Sequence, residues 1–372
     1  MESMTPEAMA QGALETWTAS ETFKHIDASW GPQLLLRLAA AVKAALEASP
    51  QQAQRVGLIT VARSVLRGPL SVRTALWRDP ALGRWTAGLE AALNDGDRNR
   101  LASLLAVAPR FLVAAALLGG SDAECLVALG PSGRARIPVD GRVLQGPPGR
   151  LIRVKVTAGE LSIHARAPRR AGPLEVVDED AELGSRPALA PLHGDSVPEI
   201  VEPLAAGVAC LAATDPGLLS EIGALAPVLV ALSGTRDVSL SGSLTEARGC
   251  IWLTPVARPL VVAETLVHES SHLKFFCLED SAPWTVEEDP PRFVVPWRSD
   301  LRPLRAVLMG LHAWVRVLEW LDTLDQGPYG QAARERAQVL GEATAAAAGI
   351  VSGADGLTPP GEALVRRLLV GR

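Results

Sequence analysis

His268-Glu269-Ser270-Ser271-His272 constrains this chain more than any other five residues in it. An H-E-x-x-H pentad serves a metal only on a helix, where four-residue spacing stacks both imidazoles on one face, a turn apart. The flanks agree: Leu260-Val261-Val262-Ala263 and Leu266-Val267 supply a buried helical stripe, and the spacing predicts a helix from about Arg258 to Leu278. Cys250–Thr254 reads as a strand immediately upstream, joined through residues 242–249 to a second strand at Asp237–Ser241. Downstream, an irregular, Pro-rich, acidic stretch at 279–303 precedes another long helix, Leu304 to about Leu324. Glu269 points about 100° around the helix from His268. In a metallohydrolase that placement makes it the base acting on a metal-bound water.

The rest of the chain is organised around that segment. Residues 1–120 read as a helical region: Leu34, Leu35, Leu38 and Val42 recur at helix spacing with Pro32 in a first turn, and Gly119-Gly120 stops the pattern. Residues 121–190 read as a β-rich insert and linker. Strands are predicted at Glu124–Leu129, Arg134–Pro138 and Leu151–Val156, and at Leu161–Arg166, where apolar and polar residues alternate. Residues 171–191 are acidic and contain proline, as a linker or exposed loop would. Residues 191–372 read as a helical metal-binding domain with one short strand pair. Val197–Ala213 and Pro216–Ala231 are its apolar helices, and an Ala-rich helix lies around 331–348. The fold class expected is α+β, predominantly helical, with a small antiparallel β region in the middle.

Composition narrows the function classes. The formal net charge of −5 excludes a protein that lives by coating nucleic acid, because no bulk positive field exists to release counterions. Of 36 basic residues only Lys24, Lys43, Lys155 and Lys274 are lysines, so no single arginine is notable for being one. Cys125, Cys210, Cys250 and Cys277 are far apart without a C-x-x-C pair, which fits a reducing cytoplasm and buried thiols better than a disulfide framework. The start lacks a basic and an apolar signal region. The uncharged apolar runs at 111–120 and 222–234 are too short for a membrane span. The expectation is a cytoplasmic protein without nucleic acid or membrane as partner.

Two imidazoles do not complete a catalytic metal site. His312, in Gly310-Leu311-His312-Ala313-Trp314 on the next helix, is the best third ligand. Carboxylate alternatives are Glu279, Asp300, Glu287 and Glu288, and a two-His, one-carboxylate set suits non-heme iron. Glu264, one turn before His268, is placed to orient an imidazole. His25, His164 and His193 are expected at the surface. Pro296-Trp297-Arg298-Ser299-Asp300-Leu301-Arg302-Pro303 places two arginines in a Pro-stiffened loop beside the metal, able to clamp a carboxylate.

Leu266-Val267-His268-Glu269-x-x-His272, then Pro296-Trp297-Arg298-x-Asp300-x-Arg302-Pro303-Leu304, then Gly310-x-His312-Ala313 resembles the HExxH-motif proteins of ribosomal peptide natural-product (RiPP) clusters. The resemblance is strongest over 249–320 and extends from about 195. It implies an iron(II)- and 2-oxoglutarate-dependent peptide β-hydroxylase acting on a ribosomally made precursor peptide, directly or through its leader. His268, His272 and His312 would hold iron, and Arg298 or Arg302 would anchor the distal carboxylate of 2-oxoglutarate. Glu269 would then serve a structural or supporting purpose. The alternative is a zinc metallopeptidase with Glu269 as general base and Cys250–Thr254 as the edge strand holding a peptide. A third reading is a non-catalytic binder of a leader peptide.

Overall fold

The computed structural model describes residues 5–130, 132–163, 165–177, 198–232, 239–286 and 289–370. Eight helices come first: α1 (Pro6–Leu14), α2 (Ala19–Ala48), α3 (Pro50–Arg55), α4 (Leu58–Arg67), α5 (Leu70–Arg78), α6 (Pro80–Asn94), α7 (Arg98–Val107) and α8 (Pro109–Gly119). Their ends are written in the sequence. Proline occupies the first turn of α1, α3, α6 and α8, where a missing N–H costs nothing. Thr18 and Glu21 form a reciprocal capping box at the start of α2, and Gly120 closes α8 in the left-handed conformation. Pro32 is a correction. It lies inside the 30-residue α2 rather than in a first turn, because the capping box starts the helix at Ala19 and the buried face from Ile26 to Ala45 carries it through.

The middle of the chain supplies β1 (Ala123–Ala128), β2 (Arg134–Arg136), β3 (Val143–Gln145), β4 (Leu151–Thr157), β5 (Glu160–Leu161), β6 (Arg169–Ala171) and β7 (Leu174–Val177). β1, β4 and β5 form one antiparallel sheet, and β2 pairs with β3. The strand expected at Leu161–Arg166 is not formed. The chain turns after Leu161, and Arg166 instead bridges to Val143.

The C-terminal part contains α9 (Pro198–Thr214), α10 (Pro216–Leu225), β8 (Val228–Ala231), β9 (Ser241–Gly242), β10 (Cys250–Leu253), α11 (Pro259–Glu279), β11 (Phe293–Val295), β12 (Arg298–Arg302), α12 (Leu304–Asp322), α13 (Gly330–Ser352) and α14 (Pro359–Val370). The helix expected over Pro216–Ala231 is therefore two elements. Pro227 breaks it, and the β-branched, fully buried Val228-Leu229-Val230-Ala231 becomes a strand. Such a short apolar run cannot be told from buried helix by periodicity. The stretch 279–303, expected to be irregular, holds the β11–β12 hairpin, turned by Pro296-Trp297.

The fold is α+β and mostly helical. A mixed five-stranded sheet, in the order β6-β7-β8-β10-β9, draws strands from both sides of residue 190, with β7, β8 and β10 parallel and β6 and β9 antiparallel at its edges. A buried ion cluster ties the same parts together. Arg136 on β2 donates from Nε and Nη2 to Glu175 on β7, each at 2.8 Å, and to Asp79 at the start of α6 at 2.9 and 3.1 Å. Burial opposes the charged guanidinium, but the two carboxylates outweigh it and hold the arginine well above its ordinary pKa. Among the described residues, one stretch, 98–119, is long and apolar enough by composition to cross a membrane. It is divided at Ala108 into α7 and α8, and its Arg110 is buried and donates to the Ala128 carbonyl.

Candidate functional site

α11 carries the pentad and is buried on nearly every side. His268 and His272 emerge on one half-buried face with ring centroids 4.6 Å apart. The indole of Trp314 on α12 tilts over His268 at 4.1 Å. Trp297, at the turn of the β11–β12 hairpin, meets Trp314 at 6.4 Å. Gly310 lets it in: a Cβ there would lie 2.8 Å from the Trp297 ring. His268 thus lies against one indole, and that indole against a second delivered by the P-W-R-S-D-L-R-P segment.

Burial keeps the imidazoles of His268 and His312 neutral. Burial, then His272, Arg336 and His312 in turn, hold His268 well below its ordinary pKa. Its Nδ1 is buried and makes no hydrogen bond. His312 is fully buried, 5.8 Å from Phe275 across the α11–α12 contact. Its Nε2 lies 2.8 Å from the Ala13 carbonyl oxygen at the end of α1, while its Nδ1 has no hydrogen-bond partner. Burial and Arg316 push it down to about 3, against the pull of that carbonyl. Since the carbonyl can only accept, Nε2 carries the proton and Nδ1 keeps a lone pair.

The structure brings His268 and His272 together and holds His312 beside them on the next helix. Among the described residues, no three or more His, Cys, Asp or Glu side chains converge as a metal-holding group. The carboxylate alternatives have other partners. Glu279 is gripped by Arg305 at 2.7 and 2.5 Å, clamping the end of α11 to the start of α12. Asp300 lies between Arg298 (2.8 Å) and Arg302 (3.0 Å), which hold its carboxyl down at about 2. Arg298 is exposed at 56% and Arg302 half-buried at 30%, and both hairpin arginines are paired locally with Asp300. Glu287, Glu288, His164 and His193 lie outside the described residues. His25, expected at the surface, is instead half-buried and stacked on Trp17 at 4.2 Å.

Glu269 is 4% exposed and turns toward β9, where Ser241 donates to Oε1 at 2.7 Å and Ser243 to Oε2 at 2.9 Å. Ser270 and Ser271 are buried and donate back to the Val267 carbonyl. They are small because this side of α11 is packed, not because it lines a site. Glu264 lies one turn before His268. Arg336 on α13 grips it with Nε and Nη2 at 2.6 to 3.1 Å.

Beneath the site lies a buried charge cluster that sequence reading missed. Glu221 on α10 forms an ion pair with Lys274 Nζ at 2.7 Å and accepts from Arg316 Nη2 at 2.6 Å, with Glu221 and Lys274 wholly buried. Lys274 also donates to the Glu15 carbonyl and lies 4.2 Å from the Trp17 ring. Burial and Arg316 bring it down to about 7 against the pull of Glu221. The turn between α1 and α2 therefore closes over α11 and α12 through backbone carbonyls. Trp314, Arg336, Ser241 and Ser243 were also missed. Only Trp314, beside His312 in sequence, carried a local signal. A cavity of about 410 Å³ lies elsewhere, among residues such as Gln52, Arg55, Glu124 and Leu151, with no histidine in its wall.

No family model matches this chain, and no curated protein matches it.

Proposed function

We propose that the chain is an iron(II)- and 2-oxoglutarate-dependent oxygenase that hydroxylates a side-chain β-carbon in a ribosomally made precursor peptide, working in the cytoplasm without nucleic acid or membrane. The observation that supports this reading is the paired face of α11: two imidazoles share one half-buried face where Trp314 covers His268 and Trp297 backs Trp314, while Glu269 is engaged by two serines on another side. A peptidase needs that glutamate on a metal-bound water, so its engagement weighs against zinc hydrolysis. It suits a chemistry in which Glu269 only anchors α11 to β9.

Two donors share one helix face, and among the described residues no third converges on them into a metal-holding group. His268 and His272 have the required spacing, and His312 offers a buried Nδ1 lone pair whose tautomer the Ala13 carbonyl fixes, a common arrangement behind metal-binding histidines. Iron held by the paired imidazoles would need His312 or another donor brought toward them, and a set of neutral imidazoles would leave positions for other ligands. Bound with 2-oxoglutarate and dioxygen, iron would supply the oxidising power that turns a C–H bond into C–OH, with succinate and carbon dioxide as the other products. The residues around it have positioning tasks. Trp314 fixes the plane of His268, Trp297 and Trp314 exclude water from one side, and the hairpin forms an exposed rim for an extended peptide. Val294 and Leu301 are exposed apolar residues on that rim.

Anaerobic loading with iron(II) followed by 2-oxoglutarate tests the reading. A visible metal-to-ligand charge-transfer band is expected in the parent and not in His272→Ala. Absence of the band from a parent that retains zinc tightly would overturn the proposal. Peptidase activity, with Glu269→Gln as control, would then be the next assay.

A further inference from the structure

The cavity of about 410 Å³ lies along an open sheet edge. β1 ends the sheet β1-β4-β5, with β4 on one side and, among the described residues, no strand on the other. The register fixes which groups face that open side. Leu129 donates to the Arg150 carbonyl, so the residues of β1 that exchange hydrogen bonds with β4 are Val127, Cys125 and Ala123. The amides and carbonyls of Glu124, Leu126 and Ala128 therefore point away from β4. Arg110 takes the Ala128 carbonyl at 3.1 Å, whereas Glu124 and Leu126 have no backbone partner among the described residues. Sheet edges are ordinarily guarded by proline, lysine or a bulge. Ala123–Ala128 has none of these and pairs in unbroken register. Across the cavity from Glu124 and Leu126 stand Arg55 at the α3–α4 corner and Pro109 at the start of α8. Leu126 and Leu151 share the outer face of the sheet, 50% and 56% exposed. Of the two charged residues in this wall, Glu124 is already paired with Arg153 at 2.9 Å. Arg55 is exposed and has no carboxylate partner among the described residues, so the uncompensated charge is positive.

We propose that the open edge of β1 binds an extended acidic peptide, which adds as a further strand beside Glu124 and Leu126 and sets a carboxylate on Arg55. The main-chain groups of Glu124 and Leu126 hold such a strand whatever its sequence, and the side chains around them select it. Apolar residues at alternate positions of the peptide meet Leu126 and Leu151, because successive side chains of a strand point to opposite faces. The guanidinium of Arg55 receives the carboxylate. A small acid fills the cavity but leaves the row of main-chain groups unmatched, whereas an extended chain matches both. The wall is drawn from residues 52–151, away from the paired histidines, and the assignment does not rest on the oxygenase reading.

The test uses the full chain without added metal and a short fluorescein-labelled peptide alternating valine and glutamate. Fluorescence anisotropy reads its affinity, and hydrogen exchange followed by mass spectrometry reads residues 123–128. Saturable binding is expected, together with slower amide exchange over 123–128. Leu126→Pro removes one edge N–H while leaving the bonds to β4, and should weaken binding by roughly 10-fold. Leu126→Asp keeps that N–H but sets a carboxylate against the acidic peptide, and should weaken binding as well if proline disturbs the strand. Circular dichroism checks that each variant is folded. Arg55→Glu should weaken the glutamate peptide several-fold and tighten one in which lysine replaces glutamate, a reversal that a merely structural arginine would not give. A peptide N-methylated at alternate residues keeps its side chains but cannot pair, and should not bind. No binding by the parent, equal binding of the N-methylated peptide, or unchanged exchange over 123–128 would overturn the assignment. So would a parent that self-associates in analytical ultracentrifugation and becomes monomeric in Leu126→Asp, because the edge would then belong to a second copy of the chain. Each of these failures leaves the oxygenase reading standing.

Discussion

Arg136→Met offers the sharpest test of how the chain is held together. The guanidinium is about 2% exposed and makes four hydrogen bonds of 2.8 to 3.1 Å to two carboxylates, Asp79 and Glu175. Asp79 has other duties, capping the start of α6 at Ala81 and accepting from the Val139 amide, so it cannot swing away. Methionine matches much of the arginine's volume and leaves two buried anions facing each other. Removing one partner of a buried pair costs about 3–5 kcal/mol, because the remaining charge stays desolvated. With two stranded carboxylates the upper part of that range is expected. For a chain of this size that corresponds to roughly 4–6 °C in melting temperature. Urea melts followed by circular dichroism would read the change. Adding Glu175→Met to the variant should recover part of the loss, because it removes one of the two stranded charges. A change below about 1 kcal/mol would refute the reasoning, because it would mean that water reaches the cluster and the pairing is of the weak, surface kind.

Three further outcomes are expected. Gly310→Ala puts a methyl 2.8 Å from the Trp297 ring, so the hairpin must move; a loss of about 1–3 kcal/mol should accompany a shift in tryptophan emission and weaker metal binding, whereas an unchanged spectrum would place Trp297 elsewhere. Ser241→Ala/Ser243→Ala removes both donors to Glu269 and should cost about 2–4 kcal/mol without abolishing the charge-transfer band; loss of the band at unchanged stability would give Glu269 a direct part in the site. Burial pushes the thiols of Cys125 and Cys277 up to about 11, so at pH 8 both should alkylate roughly 100-fold more slowly than a free cysteine, as residue-resolved mass spectrometry would measure; rapid labelling of folded protein would contradict the burial.

Much of the fold could be read because its signals are local. The capping box at Thr18, the glycine that ends α8 and the apolar stripe of α11 each depend on residues within a few positions. What could not be read depends on distant partners. Val228–Ala231 is a strand only because β7 and β10 flank it, and its apolar run fits either secondary structure. Pro32 looks like a helix start until Thr18 is known to have begun the helix earlier. The alternation at 161–166 suggested a strand, but β4 pairs with β5 only as far as Leu161, and beyond that the chain turns.

The site shows the same division at higher stakes. Four-residue spacing was enough to place His268 and His272 on one face, because a helix fixes that geometry by itself. It could not show that Glu269, adjacent to His268, would be engaged by Ser241 and Ser243, 28 and 26 residues upstream. Nor could the clustering of Arg298 and Arg302 near the pentad in sequence reveal that a two-residue spacing on a strand gives both to Asp300, whereas Arg336, 72 residues from Glu264, reaches the histidine stripe. Motifs locate chemistry that one element can hold alone. The charges that tune it come from whichever helix packs across, and here α13 supplies Arg336 while the α1–α2 turn supplies the carbonyls that hold His312 and Lys274. It follows that changes far from the pentad, in the first twenty residues or on α13, should alter the paired-histidine site as strongly as changes next to it.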